Sequence, residues 1–490
     1  MIVLAGIVMT VLYIEGMLTP SLPTIQAEFH VDEAQVSLII SAYAVSGVAL
    51  SPIVGKLGDI YGKKRLLATV MLAYAAAVSV TGFSPSFSFM VAARTIQGVG
   101  LTIMPLGMSL VREEFPRDLV PRAQGLLSAM FGVGFAVSLP LGSFVSQNYG
   151  WRDTYHSAIP FVLLLTVLVL LTVRESEYRR PGTRVDFVGA ALIGGALAAI
   201  VTGLSQGQAW GWQSTATLTT LGIGGALLVP FVVYEWRWRQ KGRDPIIDPR
   251  LLGERNVAVT NLVITVAGLG MYLALFALIY QFEYPTLSGG YNHAFPRINI
   301  LNAGLDIIPI ALAMIVVAAL ASIVVSKTGV KPLALGGAGL TAAGFLIVSR
   351  ATTLDQALLY ETVIGAGIAL LNASIINLLV LTVDPRDMGQ ATAMNNVFRN
   401  LGGSVGAPIA GSVLATYTTA SMFGPLPSHG AFELVFAIAA GTTLAGGLFV
   451  VLGQEVLGRG RHAKFANVPS ARARPVGGPV PADPATPPAG

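Results

Sequence analysis

The sequence predicts an all-α integral membrane protein with fourteen transmembrane helices. Three observations predict it. Only 11% of the 490 residues are charged, against roughly 25% in a soluble domain. Hydrophobic residues make up 53%, and mean hydropathy is +0.69. Fourteen apolar stretches can be marked, each near the ~20 residues that a spanning helix needs. This composition excludes an ordinary soluble enzyme, a nucleic-acid binder and a disordered chain. The 55 glycines lie mostly inside apolar stretches, which excludes a collagen or linker composition. There is no cysteine, so disulfides, thiolate nucleophiles and Cys-ligated metals are excluded. No cleavable signal peptide is visible, and Met1 already opens the first apolar stretch.

The stretches follow one another with charges between them. The first, 2–23, holds Glu15 and ends in Pro20 and Pro23. The second, 35–56, runs into Lys56, and the third, 66–84, follows Lys63, Lys64 and Arg65. The fourth, 88–111, contains Arg94 and stops at Arg112. The fifth, 123–146, follows Arg122 and is glycine-rich around Pro140; the sixth, 156–173, stops at Arg174. The seventh, 186–204, and the eighth, 216–234, enclose Trp210 and Trp212, which suit a membrane interface. The ninth, 257–282, follows Arg255, and the tenth, 303–325, stops at Lys327. The eleventh, 332–348, lies between Lys331 and Arg350. The twelfth, 356–381, carries Glu361; the thirteenth, 390–417, carries Arg399; the fourteenth, 432–453, closes the series. The segment 456–490, rich in Arg, Pro and Ala, is expected to be a disordered tail.

With the N-terminus inside, 25 of the 30 basic residues fall in inward loops or the tail. Outward loops hold only Arg152, Arg297 and Arg350. Such a split is a strong positive-inside signal and places both termini in the cytoplasm. The two ends of the chain also echo each other. Gly62 and Lys64 in GDIYGKKRLL match Gly329 and Lys331 in VSKTGVKPLA, and Arg94-TIQ-Gly98-V-Gly100 pairs with Glu361-TVI-Gly365-A-Gly367. Parallel internal repeats of this kind are a transporter signature. They divide the chain into a six-helix half at 1–178, an inserted helix pair with cytoplasmic linkers at 179–249, and a six-helix half at 250–455.

The strongest local signal is Gly55-Lys-Leu-Gly-Asp59-Ile-Tyr-Gly62-Lys63-Lys64-Arg65. It resembles motif A of the major facilitator superfamily. With fourteen spans, the chain resembles that superfamily's drug:proton antiporters over about residues 5–455. Glycine at 55 and 62 suits close helix approach and a tight turn. The resemblance implies that Asp59 latches the inner gate by meeting the positive N-terminus of a helix beginning near Gly389. Otherwise this is a basic turn that fixes topology. Arg94, Gln97, Gly98 and Gly100 resemble motif B, which implies a part in proton transfer. An arginine within a span needs an acid or carbonyl partner, or must snorkel to the interface. Gly132, Gly134, Pro140, Gly142 and Ser143 resemble motif C, the antiporter motif, with Leu139 and Ser143 in place of glycines. These residues are expected to bend the fifth span and pack it against the other half. Asn396, Arg399 and Asn400 resemble the signature of the family's C-terminal half and are cavity candidates. Trp151 and Arg152 resemble the opening of its sixth span.

Glu15, eight residues before Pro23, is the leading proton carrier. Hydrocarbon disfavours a charged carboxyl and a nearby arginine favours it, so a group between them can take up and release a proton. A structural ion pair or a substrate counter-ion would use the same residue. Glu361 is the second buried acid and is either functional or interfacial; Glu283, Asp306 and Glu433 are expected to be solvated. There is no P-loop, no HExxH and no metal-ligand spacing. The expectation is therefore a secondary transporter, not an enzyme, with no cofactor and no metal. Its partners are a small-molecule substrate, protons and the lipid bilayer, with no nucleic acid, and it is a monomer by default. Proton-coupled efflux of lipophilic or cationic drugs, with antibiotic resistance as its consequence, heads the readings. A transporter dedicated to one metabolite, lipid or siderophore stands beside it, and a non-transporting receptor comes third. The cytoplasmic membrane is the expected location.

Overall fold

The computed structural model describes residues 2–114, 120–175, 184–243, 245–285, 290–291, 299–383, 388–422 and 424–453. The tail at 456–490 lies outside them. Among the described residues, twelve helices are long and apolar enough to cross a membrane. The two remaining expected spans, 123–146 and 390–417, fall on helices Val120–Tyr149 and Met388–Thr416, of 30 and 29 residues.

The order is α1 (Ile2–Gly16), α2 (Leu22–Phe29), α3 (Glu33–Val36), α4 (Leu38–Tyr61), α5 (Lys63–Gly82), α6 (Phe87–Gln97), α7 (Ile103–Glu114), α8 (Val120–Tyr149) and α9 (Trp151–Thr172). Then come α10 (Phe187–Trp210), α11 (Thr215–Gln240) and the short α12 (Pro249–Gly253). The second set is α13 (Arg255–Glu283), α14 (Ile300–Asp306), α15 (Ile308–Thr328), α16 (Val330–Val348), α17 (Leu354–Thr382), α18 (Met388–Thr416) and α19 (His429–Phe449). A hairpin, β1 (Thr418–Ser421) with β2 (Gly424–Pro427), joins α18 to α19 in antiparallel register.

Four spans are interrupted among the described residues: the second at Ser37, between α3 and α4, and three others whose breaks have a local cause. The first span continues past Pro23 to Phe29, but a 3-10 turn at Thr19–Ser21 separates α1 from α2. Pro20 and Pro23 lack the amide that would extend α1, and Glu15 is left in the last turn before the break. The fourth span changes to a 3-10 helix at Gly98–Thr102, one residue after Gln97. Short 3-10 stretches within a helix mark hinges. The tenth breaks at Ile307, ahead of Pro309.

One large apolar core runs through both sets, including Leu12, Tyr74 and Tyr155 from the first and Phe276, Phe345 and Phe432 from the second. The helix pair α10–α11 stands to one side. Its α10 packs on α4 of the first set and on α18 of the second. Two bonds fasten it: Ser412 Oγ donates to Leu204 O at 2.5 Å, and the Ser37 and Ser205 hydroxyls lie 3.3 Å apart.

Candidate functional site

Helix α13 carries Tyr272, Phe276 and Tyr280, and its C-cap is Tyr284, at intervals of four, so they share one face. Rings 276 and 280 lie 5.0 Å apart, and rings 280 and 284 lie 5.3 Å apart. This stripe meets the first set of helices with hydroxyl groups. Tyr272 Oη donates to Glu15 Oε1 at 2.9 Å, Tyr280 Oη to Gln26 Oε1 at 2.7 Å, and Tyr284 Oη to Glu33 Oε1 at 2.9 Å. Burial and the Glu33 carboxylate push the Tyr284 phenol above its ordinary value, so it remains a donor.

Glu15 stands where two spaces meet. The larger, about 1160 Å³ and open on part of its boundary, is lined by Glu15, Tyr272, Asn372, Arg399, Asn400 and Thr443 among apolar side chains that include Met271, Met314 and Phe345. The smaller holds Glu15, Thr19, Tyr43, Arg94 and Tyr272. Both Arg399 and Arg94 are close enough to act on the Glu15 carboxyl by charge. Its other oxygen, Oε2, is buried with no hydrogen-bond partner among the described residues.

Arg94 is 2% exposed, so it does not snorkel. Its Nε donates to Ile39 O at 3.1 Å, its NH1 to Gln97 Oε1 at 2.9 Å, and its guanidinium lies 4.8 Å from the Tyr43 ring centre. Gln97 in turn donates to Ala77 O at 3.3 Å and to the Thr81 hydroxyl. Gly98 and Gly100 let this turn approach its neighbours: a Cβ at 98 would lie 2.5 Å from Tyr43 O, and one at 100 would lie 2.5 Å from the Tyr74 ring.

The motif A residues sit at the far end of α4. Gly62 has φ +104°, and a Cβ there would lie 2.5 Å from Glu175 Oε1. Glu175 explains the turn. It accepts from Lys64 N at 3.1 Å and Arg65 N at 3.2 Å, and Arg65 Nε lies 3.7 Å from it. A carboxylate thus caps the positive N-terminus of α5. Asp59 pairs with Lys63 at 3.5 Å. Its expected partner, the start of α18 near Gly389, lies among residues whose side-chain contacts are not described. Among the described residues, a Cβ at Gly55 would meet nothing within 4 Å.

The glycines of motif C face the first span, while α8, which carries them, also packs on α14 and α15 of the second set. A Cβ on Gly134 would lie 2.7 Å from Leu12 Cβ in α1, and one on Gly142 2.3 Å from Met17 O just past its end, so both face the first span of the same set. Pro140 lies between them within α8. The residue that meets the second set is Ser143, whose hydroxyl would lie 1.7 Å from a Cβ on Gly304. Gly132 lies outside the residues whose side chains are described.

Of the remaining candidates, Asn396 donates to Thr392 O at 3.2 Å and is not in the cavity wall. Its neighbour Asn395 ties α18 to α13 through Asn261 Oδ1 at 3.2 Å. Glu361 is fully buried and away from both spaces, with neither oxygen hydrogen-bonded among the described residues. Burial and this acid push the nearby Tyr291 phenol up to about 12. Glu283, expected to be solvated, is 1% exposed at the last residue of α13. Trp151 Nε1 and Arg152 NH1 both reach the Glu28 carboxylate at 2.6 Å, which closes the start of α9 onto α2. Sequence reasoning passed over Tyr272, Glu175 and Asn372. The spacing of hydroxyl-bearing rings on α13 was the available signal for the first.

A family model for the Major Facilitator Superfamily matches residues 4–407. The chain is 28% identical over 412 residues to an uncharacterised MFS-type transporter of Mycobacterium tuberculosis, covering 82% of this chain and 57% of that one. It thus spans little more than half the length of that relative. It is 27% identical to the cephamycin export protein of Amycolatopsis lactamdurans, over 86% of this chain and 85% of that one. Further relatives carry multidrug or antibiotic-resistance names. In fold it resembles the human organic anion transporter MFSD10, with a TM-score of 0.61 at 16% identity, over 91% and 97% of the two chains.

Proposed function

The chain belongs to the major facilitator superfamily, and from that premise we propose that it exports lipophilic or cationic compounds in exchange for protons. The observation that carries this reading is Glu15. It lines the central space, binds the second set through Tyr272, and has two arginines near it. Two guanidinium groups favour its ionised form, while an apolar wall favours the protonated form. A proton on Glu15 weakens the charge contact with Arg399, and a cationic guest near the ionised form replaces the proton. Proton and substrate then favour opposite facing states, and an inward proton gradient drives substrate out. Methionine and aromatic walls adapt to guests of different shape.

The same reading takes 1–178 and 250–455 as rocking halves about the cavity. It places a monomer in the cytoplasmic membrane with both termini inside, and Asp59 as a gate at the inner side. The name of the cephamycin relative, together with Arg399 in the wall, favours a second reading: export of one dedicated, acidic natural product.

Flux of a lipophilic cationic dye in proteoliposomes with an imposed pH gradient tests the first reading. Uphill movement that follows the gradient and is lost in Glu15→Gln is expected. Gradient-driven flux unchanged in Glu15→Gln would remove the carboxyl from its role. No dye movement by folded, inserted wild type would favour the dedicated substrate.

A further inference from the structure

The linker end of α10–α11 holds a second arrangement of acids, remote from the cavity lining. Asp186 is the N-cap of α10, and its Oδ1 accepts from Gly189 N at 2.7 Å. Glu235, near the end of α11, accepts from Ile247 N through Oε2 at 3.4 Å. This leaves Asp186 Oδ2 and Glu235 Oε1, both buried and without a hydrogen-bond partner among the described residues. The residues are 5% and 2% exposed. Their side chains meet each other directly. Both orphan oxygens also close on one spot, for a Cβ on Gly189 would lie 2.4 Å from the first and 2.6 Å from the second.

Two carboxylate oxygens that face each other without a donor repel. Away from water, nothing screens them. A single proton between them converts the repulsion into an O–H···O⁻ bond, one of the strong charge-assisted kind. Among the described residues, the neighbouring charged and titratable groups are committed elsewhere or face one acid only. Arg239 pairs with Asp248, which also caps α12 by accepting from Arg250 N at 2.9 Å. Arg243 lies over the Trp238 ring at 4.4 Å, and the Tyr234 hydroxyl reaches Asp186.

We propose that Asp186 and Glu235 form a proton-binding site whose one shared proton fastens the helix pair α10–α11 to the linker that enters α13. The ligand is a proton, and the site is separate from Glu15. Glu235 grips the linker at Ile247, Asp186 starts α10, and α10 packs on α4 and α18. Losing the proton turns the two acids apart and releases the linker. The sign follows: the fastening is present at low pH and is lost as pH rises through the titration of the pair.

The test uses the full-length protein in detergent or nanodiscs, between mildly acidic and alkaline buffer. Wild type is expected to lose about 3 °C or more in melting temperature as pH rises. Amide exchange at 245–252, corrected for intrinsic rate, rises about 10-fold, the equivalent of one lost strong hydrogen bond. In Glu235→Gln the amide donates to Asp186 at every pH, so both profiles flatten. Asp186→Asn keeps the cap oxygen and flattens them too, which covers a failure of the first variant to fold. Infrared spectra should show a protonated-carboxyl band in wild type that each variant removes. Identical pH profiles in all three proteins, or no such band in wild type, overturn the proposal. So does stabilisation of wild type alone by added calcium or magnesium at neutral pH, which would assign the site to a metal ion.

Discussion

Tyr272 is the residue on which the two sets of helices meet at the cavity. Its hydroxyl holds Glu15, while its ring is packed by Gly403, where a Cβ would lie 2.9 Å from Cδ2. Tyr272→Phe therefore removes one hydrogen bond and leaves the packing. A hydrogen bond to a charged group is worth about 1.5–3 kcal/mol, so proton-coupled flux should fall about 10- to 100-fold while substrate binding stays within a few fold. Equilibrium binding beside gradient-driven flux checks this, and equal losses in both would make Tyr272 a substrate contact. Glu15, Arg94 and Arg399 were legible in the sequence because a charge inside an apolar stretch is conspicuous and costly. Tyr272 was not, because an aromatic in a membrane helix is unremarkable until its hydroxyl finds a partner 257 positions away. Glu361 was legible as a residue but not as to its depth, which depends on how α17 sits against α15 and α16.

At the scale of the element, α5 begins where it does because Glu175 caps it and Gly62 makes room for that carboxylate. Gly62→Ala combines a positive φ with a 2.5 Å contact and should cost about 1–3 kcal/mol. Glu175→Gln keeps the shape and loses the charge, and should cost about 0.3–1 kcal/mol. Thermal unfolding of the purified proteins ranks the two, and a larger loss in Glu175→Gln would reverse the explanation. Flux should also fall in Asp59→Asn with the fold intact, and wild-type flux there would leave motif A as a topological turn. The apolar stretches located the helices because membrane length and composition constrain them tightly. They did not locate the breaks at Leu18, Gly98 and Ile307. Pro20, Gly98 and Pro309 were readable, but an interior proline or glycine can equally sit in a continuous kinked helix.

In the whole molecule, several contacts between the two sets lie on the side away from Gly62 and Glu175, in addition to the α4–α18 packing. There Tyr280 meets Gln26, Tyr284 meets Glu33, Gln147 Oε1 accepts from Ile300 N at 2.9 Å, and α14 lies against α8 at Gly304 and Ser143. The last contact has no spare volume, since a Cβ on Gly304 would fall 1.7 Å from the Ser143 hydroxyl. Gly304→Ala should therefore oppose closure of this side. Overpacking costs about 1–3 kcal/mol. A change of that size in a two-state equilibrium is worth about 5- to 150-fold in population. The chain has no cysteine, so a single Asn372→Cys in the cavity wall reports access without background. An impermeant thiol reagent applied from the Ser143 side should label it several-fold faster in Gly304→Ala. Ser143→Gly removes the colliding hydroxyl and should restore the slow rate in the double variant. Labelling that ignores both changes would place the closing contact elsewhere, with the tyrosine bonds of α13 as the next to remove. Labelling that rises and is then rescued would make one serine and one glycine, from opposite sets, the measure of how far the molecule has closed.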